Sequence, residues 1–136
     1  MDPDAIGDAV ARLPAKYEPL CLTFYRECRT AQAGAVIIGS DDGTELQVDA
    51  VDAGVWSVDP QTARAVRLVN SSVDQLAAAI TAYDDYVGQV RNADDEGVLD
   101  LVQNLRQRLT AIDPEATADP DAWWPQILEQ AQHGLL

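Results

Sequence analysis

Three very short turns in the middle of the chain restrict the fold more than any other feature of the sequence. Four segments of strand-like composition, at residues 35–39, 45–50, 55–59 and 65–69, are separated by Asp41-Asp42-Gly43, Asp52-Ala53-Gly54 and Asp59-Pro60-Gln61-Thr62. Each turn contains a glycine, which tolerates positive φ, or a proline, which presets a turn. A parallel return between strands needs a crossover of about a dozen residues or more. The four segments are therefore predicted to be neighbouring antiparallel strands.

The second of these segments indicates how the sheet is covered. Leu46 and Val48 alternate with Glu45 and Gln47, and successive residues of a strand point to opposite faces. One face of the sheet is therefore predicted to be packed and the other to be wetter. A further strand is predicted at residues 20–25, which alternate in bulk and include residues typical of strands. A helix is the alternative for this segment.

Helical periodicity occupies both ends of the chain. Apolar residues recur at three- and four-residue steps in residues 1–13, in residues 73–90 and after Asp94-Asp95 as far as Ile112. A last helix is predicted to start around residues 119–121, or near Trp124 as the alternative that Pro125 leaves open, and to end at His133-Gly134; residues 115–118 are predicted to be a connecting loop. Together the patterns predict an α+β fold and a single domain over residues 1–136. Its sheet is expected to be twisted, mainly antiparallel, of about five strands, and flanked by N-terminal and C-terminal helices.

The chain is strongly acidic, which restricts its partners. The 23 acidic and 9 basic side chains leave a net charge of −14 at neutral pH, and residues 70–136 carry 12 acidic against 3 basic side chains. Such a surface repels a phosphate backbone and an anionic membrane. We therefore expect no nucleic-acid ligand and no membrane partner, whereas a basic partner would be steered to the C-terminal half. A solubilising surface without a specific target is the alternative interpretation.

Residue types that support catalysis or metal binding are scarce. His133 is the only histidine, and Cys21 and Cys28 lack the paired spacing of a zinc site. The turn that begins at Asp41 lacks the alternating acids of a calcium loop. We therefore expect no enzyme activity, no cofactor and no metal site.

The N-terminus and the hydropathy pattern predict a cytoplasmic location. Met1-Asp2-Pro3-Asp4 lacks the basic region of a signal peptide. The longest apolar stretch, at residues 33–39, is far shorter than the roughly 20 residues that a membrane span requires.

Acidic side chains and one tryptophan are the candidate partner-binding residues. Trp123 and Trp124 are predicted to point about 100° apart on one helix, so that both cannot face the same core and one is expected to be partly exposed. Large aromatic residues are enriched in binding hot spots. The candidates are Asp41, Asp42, Asp84, Asp85, Asp94, Asp95, Glu96 and Trp123. Core packing is the alternative for Trp123, and turn formation or stabilisation of a helix terminus is the alternative for the acids.

The order of several segments resembles a known family. They are Val36-Ile37-Ile38-Gly39-Ser40-Asp41-Asp42-Gly43-Thr44, Gly54-Val55-Trp56-Ser57-Val58-Asp59, Val69-Asn70-Ser71-Ser72-Val73-Asp74-Gln75-Leu76 and Ala122-Trp123-Trp124-Pro125-Gln126-Ile127-Leu128. This order and spacing resemble the fourth group of the SUKH superfamily of bacterial immunity proteins, over residues 20–135 of the chain. The resemblance implies an α+β domain with a twisted sheet flanked by helices.

The function that the resemblance implies is immunity to a toxin. It implies a non-catalytic inhibitor that neutralises a cognate polymorphic toxin, often a nuclease or a nucleic-acid deaminase. Acidic side chains would then stand in for phosphates on a basic toxin surface. An intracellular adaptor or regulatory scaffold with the same fold is the alternative hypothesis, and an enzyme that uses the acidic pairs is a third.

Overall fold

One sheet and five α-helices make up the described part of the chain. The computed structural model describes residues 3–31, 34–62 and 64–134. In chain order the elements are α1 (Pro3–Ala11), β1 (Lys16–Tyr17), a 3₁₀ turn (Glu18–Leu20), β2 (Leu22–Thr30), β3 (Val36–Asp41), β4 (Glu45–Val48), β5 (Val55–Val58), β6 (Ala65–Asn70), α2 (Val73–Val90), α3 (Asp95–Ile112), α4 (Pro114–Ala118) and α5 (Trp123–Gln132). The predicted α+β class is confirmed.

The sheet is an antiparallel meander in which each strand pairs with the next, in the order β1 to β6. The tight turns join β3, β4, β5 and β6 as predicted. In the first turn Asp42 and Gly43 both have positive φ, at 58° and 125°, a conformation that Asp and Gly tolerate better than most residues. The sheet has six strands rather than about five, because the two residues of β1 are too few to produce a recognisable pattern.

The predicted strand at residues 20–25 is confirmed, but it belongs to the longer strand β2. Its start is shifted because the preceding 3₁₀ turn includes Leu20 and ends at Cys21, which has a φ of 56°. The strand continues to Thr30 through a mostly exposed run without apolar alternation. Its pairing with β3 is irregular between Phe24 and Arg29.

The long helices α2 and α3 confirm the predictions from periodicity. Ser72 caps α2, and its Oγ accepts a hydrogen bond from the Gln75 backbone N–H at 3.1 Å. The helix α5 begins at Trp123, close to the alternative start near Trp124 rather than at residues 119–121, and it ends as predicted near Gly134, which has a φ of 70°. The first helix ends at residue 11 rather than 13. Residues 1 and 2 of that prediction lie outside the described residues.

The prediction of a loop at residues 115–118 is wrong, because these residues belong to the helix α4. Pro114 occupies the start of this short helix, a position where proline is favoured. Ala116 is its buried residue. A five-residue helix with one buried alanine has no apolar stripe, so its stability depends on tertiary packing that the sequence pattern does not reveal.

The main core lies between one face of the sheet and the helices. The strands contribute Leu22, Phe24, Val36, Ile38, Leu46, Val48, Val55 and Val69, and the helices contribute residues such as Val10, Leu76, Leu105, Leu109, Trp124 and Leu128. Leu46 and Val48 are buried, whereas Glu45 and Gln47 between them are half-exposed, as predicted. We call the side of the sheet that carries these core residues the covered face.

Candidate functional site

The structure brings three of the eight candidate residues to one cleft. Asp41, Asp42 and Trp123 line a depression of about 350 Å³ at the end of β3. The other candidates lie elsewhere, because Asp84 and Asp85 are exposed on α2 and residues 94–96 are exposed at the start of α3. The candidate set is therefore dispersed rather than one continuous site.

Hydrogen bonds organise the cleft around the Asp41 carboxylate. The Trp123 indole Nε1 donates to Asp41 Oδ2 at 2.7 Å. The Thr44 hydroxyl donates to the other carboxylate oxygen and shares a 2.8 Å hydrogen bond with the Ser57 hydroxyl. Asp41 therefore links the hairpin turn to the first turn of α5, and both of its oxygens have partners within the protein.

Both tryptophans of α5 are buried, so the expectation that one would be partly exposed is wrong. Trp123 is 6% exposed and Trp124 is 0% exposed, and their ring centroids lie 4.8 Å apart in an edge-to-face arrangement. Trp124 Nε1 donates to Asn70 Oδ1 at 2.9 Å. Residues 122–125 are all buried, which means that the protein surrounds the start of α5 on several sides. Two side chains about 100° apart can then both be inside.

A buried carboxylate that sequence reasoning did not identify supports this arrangement. Asp113 is 1% exposed and lies at the junction of α3 and α4. It accepts hydrogen bonds from Asn70 Nδ2 at 3.1 Å, from the Ser71 backbone N–H at 2.6 Å and from the Ser71 hydroxyl at 2.7 Å. A chain of hydrogen bonds therefore runs from α5 through Asn70 to Asp113. Sequence offers one signal, the Asp-Pro step between the helices, which identifies a boundary but not a buried anchor.

The two candidate acids on α2 each have a partner within the protein. The Tyr17 hydroxyl donates to Asp84 Oδ1 at 3.0 Å. Burial, together with this hydrogen bond to Asp84, raises the pKa of Tyr17. Asp85 forms an ion pair with Arg108 Nη1 at 2.9 Å. These contacts connect α2 to β1 and to α3.

The acids at the start of α3 differ in whether their side chains accept hydrogen bonds within the protein. Asp94 caps the helix, and its Oδ1 accepts a hydrogen bond from the Gly97 backbone N–H at 2.7 Å. Asp95 and Glu96 are exposed in the first turn, where negative charge is favourable. Within the described residues, no side-chain hydrogen bond or ion pair engages Asp42, Asp95 or Glu96. These three carboxylates are therefore the candidates whose side chains are available to a partner.

A second surface, which sequence reasoning missed, lies on the side of the sheet opposite the core. Cross-strand register aligns five side chains in one row, because Arg29 pairs with Ile37, Ile37 with Gln47, Gln47 with Trp56 and Trp56 with Leu68. Directly opposed residues of antiparallel strands share a face. The guanidinium of Arg29 lies 6.0 Å from the ring centroid of Tyr25, which extends the row along β2. We call Tyr25, Arg29, Ile37, Gln47, Trp56 and Leu68 the open face.

The described residues provide no evident metal or membrane chemistry. No group of three or more His, Cys, Asp and Glu side chains among residues 3–31, 34–62 and 64–134 is arranged to hold a metal ion. In the same ranges, none of the helices combines the length and the apolar character of a bilayer span. Both cysteines, Cys21 and Cys28, are free thiols.

The fold defines a small α+β domain whose antiparallel sheet is covered by helices on one side. The model of the SUKH-4 immunity protein family matches residues 23–130, and the chain belongs to this family. The resemblance inferred from the sequence is thereby confirmed. A search of curated proteins and a search of solved structures found no match. Membership of an immunity family indicates a function in toxin immunity, implies a cognate toxin as partner, and places the chain in a group that is generally non-catalytic.

Proposed function

We propose that this protein is a non-catalytic inhibitor that binds its cognate toxin in the cytoplasm and neutralises it through an acidic surface. The family membership carries the proposal, because it makes a toxin the expected partner. The charge supports the mechanism, since a net charge of −14 attracts a basic surface and repels nucleic acid and anionic membranes. A toxin that acts on nucleic acid has such a basic surface, because it must hold phosphates.

The candidate acids have different roles in this proposal. Asp42, Asp95 and Glu96 are exposed and have no side-chain partner within the described residues, so their charges are available to a partner. Asp41 and Asp84 are instead hydrogen-bonded to Trp123 and Tyr17. Exposed charges at the edge of an interface mainly increase the association rate. We therefore assign the free carboxylates to steering and capture of the toxin rather than to the desolvated centre of the complex.

The salt dependence of the toxin complex tests this mechanism. The partner is sought as a toxin among the products of the neighbouring genes, and its affinity for this protein is measured by calorimetry between about 0.05 and about 0.5 M salt, where screening rises steeply. We expect the affinity to fall by about tenfold or more across this range. An affinity that does not change with salt would exclude charge complementarity as the mechanism.

A matched pair of variants examines the steering role directly. The double change Asp95→Asn and Glu96→Gln removes two free charges from α3 and should slow association at low salt with little change in dissociation. Gln103→Ala changes an exposed, uncharged position on the same helix and should leave both rates unaltered. Equal association rates in all three proteins would show that the acidic turn of α3 does not steer the toxin.

The stoichiometry of neutralisation distinguishes an inhibitor from an enzyme. Toxin activity is titrated with this protein at toxin concentrations well above the dissociation constant. A binding inhibitor should reach its endpoint at a fixed molar ratio. Complete neutralisation by a small fraction of an equivalent would instead demonstrate turnover, and the non-catalytic assignment would be wrong.

A further inference from the structure

The open face is an apolar and aromatic surface that lies outside the core formed by the described helices and strands. Tyr25, Ile37, Trp56 and Leu68 are half-buried, yet none of them belongs to the main core or packs against it. Val58 is 5% exposed and also lies outside that core. Its β4 partner is Glu45. The described helices contribute their apolar side chains to the covered face only.

The composition of the open face is that of an interface centre. Trp, Tyr and Arg are the residues most enriched among binding hot spots, and the open face holds one of each beside an isoleucine and a leucine. The Arg29 guanidinium lies 6.0 Å from the Tyr25 ring centroid, within reach of a cation–π contact. Gln47 occupies the centre of the row, and its Nε2 donates a long 3.4 Å hydrogen bond to Glu45 Oε1.

The hairpins that border the open face are acidic, whereas the outer strands β2 and β6 carry arginines such as Arg29 and Arg67. Residues 34–62 comprise β3, β4, β5 and the two hairpin turns between them, and they include six acidic side chains and no basic one. These are Asp41, Asp42, Glu45, Asp49, Asp52 and Asp59. Four of them lie in the turns at the two ends of the strands, and Glu45 lies on the open face beside Gln47. The row runs across the strands from Arg29 to Leu68, so these turn carboxylates lie along its two sides, beyond the ends of β3, β4 and β5.

We infer that the open face is the surface on which the toxin docks, with Trp56 and its cross-strand neighbours at the desolvated centre and the hairpin carboxylates at the rim. This inference rests on the proposed function. It identifies the partner's complementary surface as an apolar patch bordered by lysines and arginines. An apolar centre surrounded by a polar rim is the usual organisation of a specific protein interface.

Charge argues against the main rival occupant, a second copy of this chain. A symmetric pair through the open face would bring Glu45 and the turn carboxylates of one copy toward the same residues of the other, and those turn residues are Asp42, Asp49, Asp52 and Asp59. Like charges opposed across an interface repel and weaken the complex. A basic partner would avoid this repulsion, because its lysines and arginines would be attracted to the carboxylates. The observations therefore favour the toxin over a homodimer.

Substitutions at the centre of the open face test the inference. We expect Trp56→Ala to weaken toxin binding by about thirtyfold or more, the usual effect of truncating a hot-spot residue. The matched control is Leu99→Ser on α3, because Leu99 is 50% exposed and lies on a helix. It should leave toxin affinity within about twofold of the unmodified protein. Calorimetry of the purified variants with the toxin provides both values, and urea unfolding establishes that they remain folded.

A second variant keeps the test decisive if Trp56→Ala does not fold. Gln47→Arg removes no apolar contact from the core and introduces a positive charge at the centre of the row. It should weaken binding to a basic partner by about tenfold or more. Unchanged affinity in a folded Gln47→Arg variant, with Leu99→Ser as reference, would overturn the inference while leaving the proposed function intact. If the unmodified protein neither binds nor neutralises the toxin, the proposed function fails as well.

Sedimentation of the free protein examines the rival occupant. A monomer at micromolar concentration is the expected result. A dimer that Gln47→Arg or Trp56→Ala dissociates, and that Leu99→Ser does not, would assign the open face to a second copy and overturn the inference.

Discussion

The covered and open faces of the sheet come from the same strands, yet the protein uses them differently. On the covered face Leu46 and Val55 are 0% exposed and lie beneath the helices, whereas Gln47 and Trp56, their direct neighbours in sequence, are half-exposed. Strand alternation alone does not explain this contrast, because alternation also permits a sheet that is packed on both sides. Helices cover one face and leave on the other a row of side chains that resembles an interface centre. The difference indicates that stability depends on the covered face and recognition on the open face.

The largest expected effect compares one tryptophan from each region. Trp124→Ala should lower the free energy of unfolding by about 3–5 kcal/mol, because it removes a fully buried indole and leaves a cavity. Trp56→Ala on the open face should cost about 1 kcal/mol. Urea unfolding followed by circular dichroism measures both values. Equal losses would mean that the open face is part of the stabilising core, and the contrast between the faces would disappear.

A smaller effect is expected at the buried carboxylate that joins β6 to the helices. Asp113→Asn should cost about 1–3 kcal/mol, since an NH₂ group replaces the oxygen that accepts from the Ser71 hydroxyl, and the donors of Asn70 and the Ser71 backbone lose a charged acceptor. Asp42→Asn is the matched control, because Asn tolerates the positive φ of this exposed turn and no partner is lost. The control should change stability by no more than about 0.5 kcal/mol. Similar unfolding midpoints for the two variants would contradict a structural role for Asp113.

The covered face could be predicted from sequence to a large extent. Leu46 and Val48 alternate with polar residues, and the Asp-Asp-Gly turn specifies a hairpin, so local rules are sufficient for β4 and its neighbours. The cap of α2 is also local, because Ser72 and Gln75 stand at the spacing that such a cap requires. These elements depend on interactions between residues that are close together in the chain.

The open face could not be predicted, because it depends on register between strands. Gly39 lies where the β3–β4 pairing shifts, and a Cβ at this position would lie 2.1 Å from the Thr23 carbonyl oxygen. Because of this shift, Ile38 and Gly39 both lie on the covered face, whereas Ile37 lies on the open face. No local pattern in the sequence specifies the shift, so the row from Arg29 to Leu68 emerges only from the paired strands. The simultaneous burial of Trp123 and Trp124 and the helix at Ala116 were missed for a similar reason, since distant elements determine both.

The tyrosines beneath the sheet provide a third prediction, which applies only at alkaline pH. Tyr83 packs against Tyr17, Tyr86 and Trp124, with ring centroids 6.4, 5.5 and 6.1 Å away. Burial, and to a lesser extent the nearby Tyr86, raises the pKa of Tyr83 from 10.0 to about 12. Because the pKa is higher in the folded state, the resulting stability is fully present below pH 10 and is lost as the pH rises toward 12. Unfolding midpoints should therefore fall across this interval.

The variant Tyr83→Phe isolates this contribution, because phenylalanine keeps the ring and cannot ionise. Its unfolding midpoint in urea should decline less steeply above pH 10 than that of the unmodified protein, while the two proteins behave alike at neutral pH. Parallel declines would locate the alkaline sensitivity in other groups, among them Tyr17 and Tyr86, whose pKa values burial also raises.

The smallest effect is expected on the outer side of the helices, at the ion pair between Asp85 and Arg108. The two side chains are 55% and 49% exposed, and water screens their 2.9 Å contact. Exposed pairs of this kind contribute about 0.2–1 kcal/mol, so Asp85→Asn, Arg108→Gln and the double variant should give a coupling free energy in this range. The coupling should decrease further at about 1 M salt. A coupling of about 2 kcal/mol or more would instead make Asp85 a structural residue. Acids on the helices would then contribute to stability, as the residues of the covered face do. Only the carboxylates without a partner and those at the rim of the open face would remain available to a toxin.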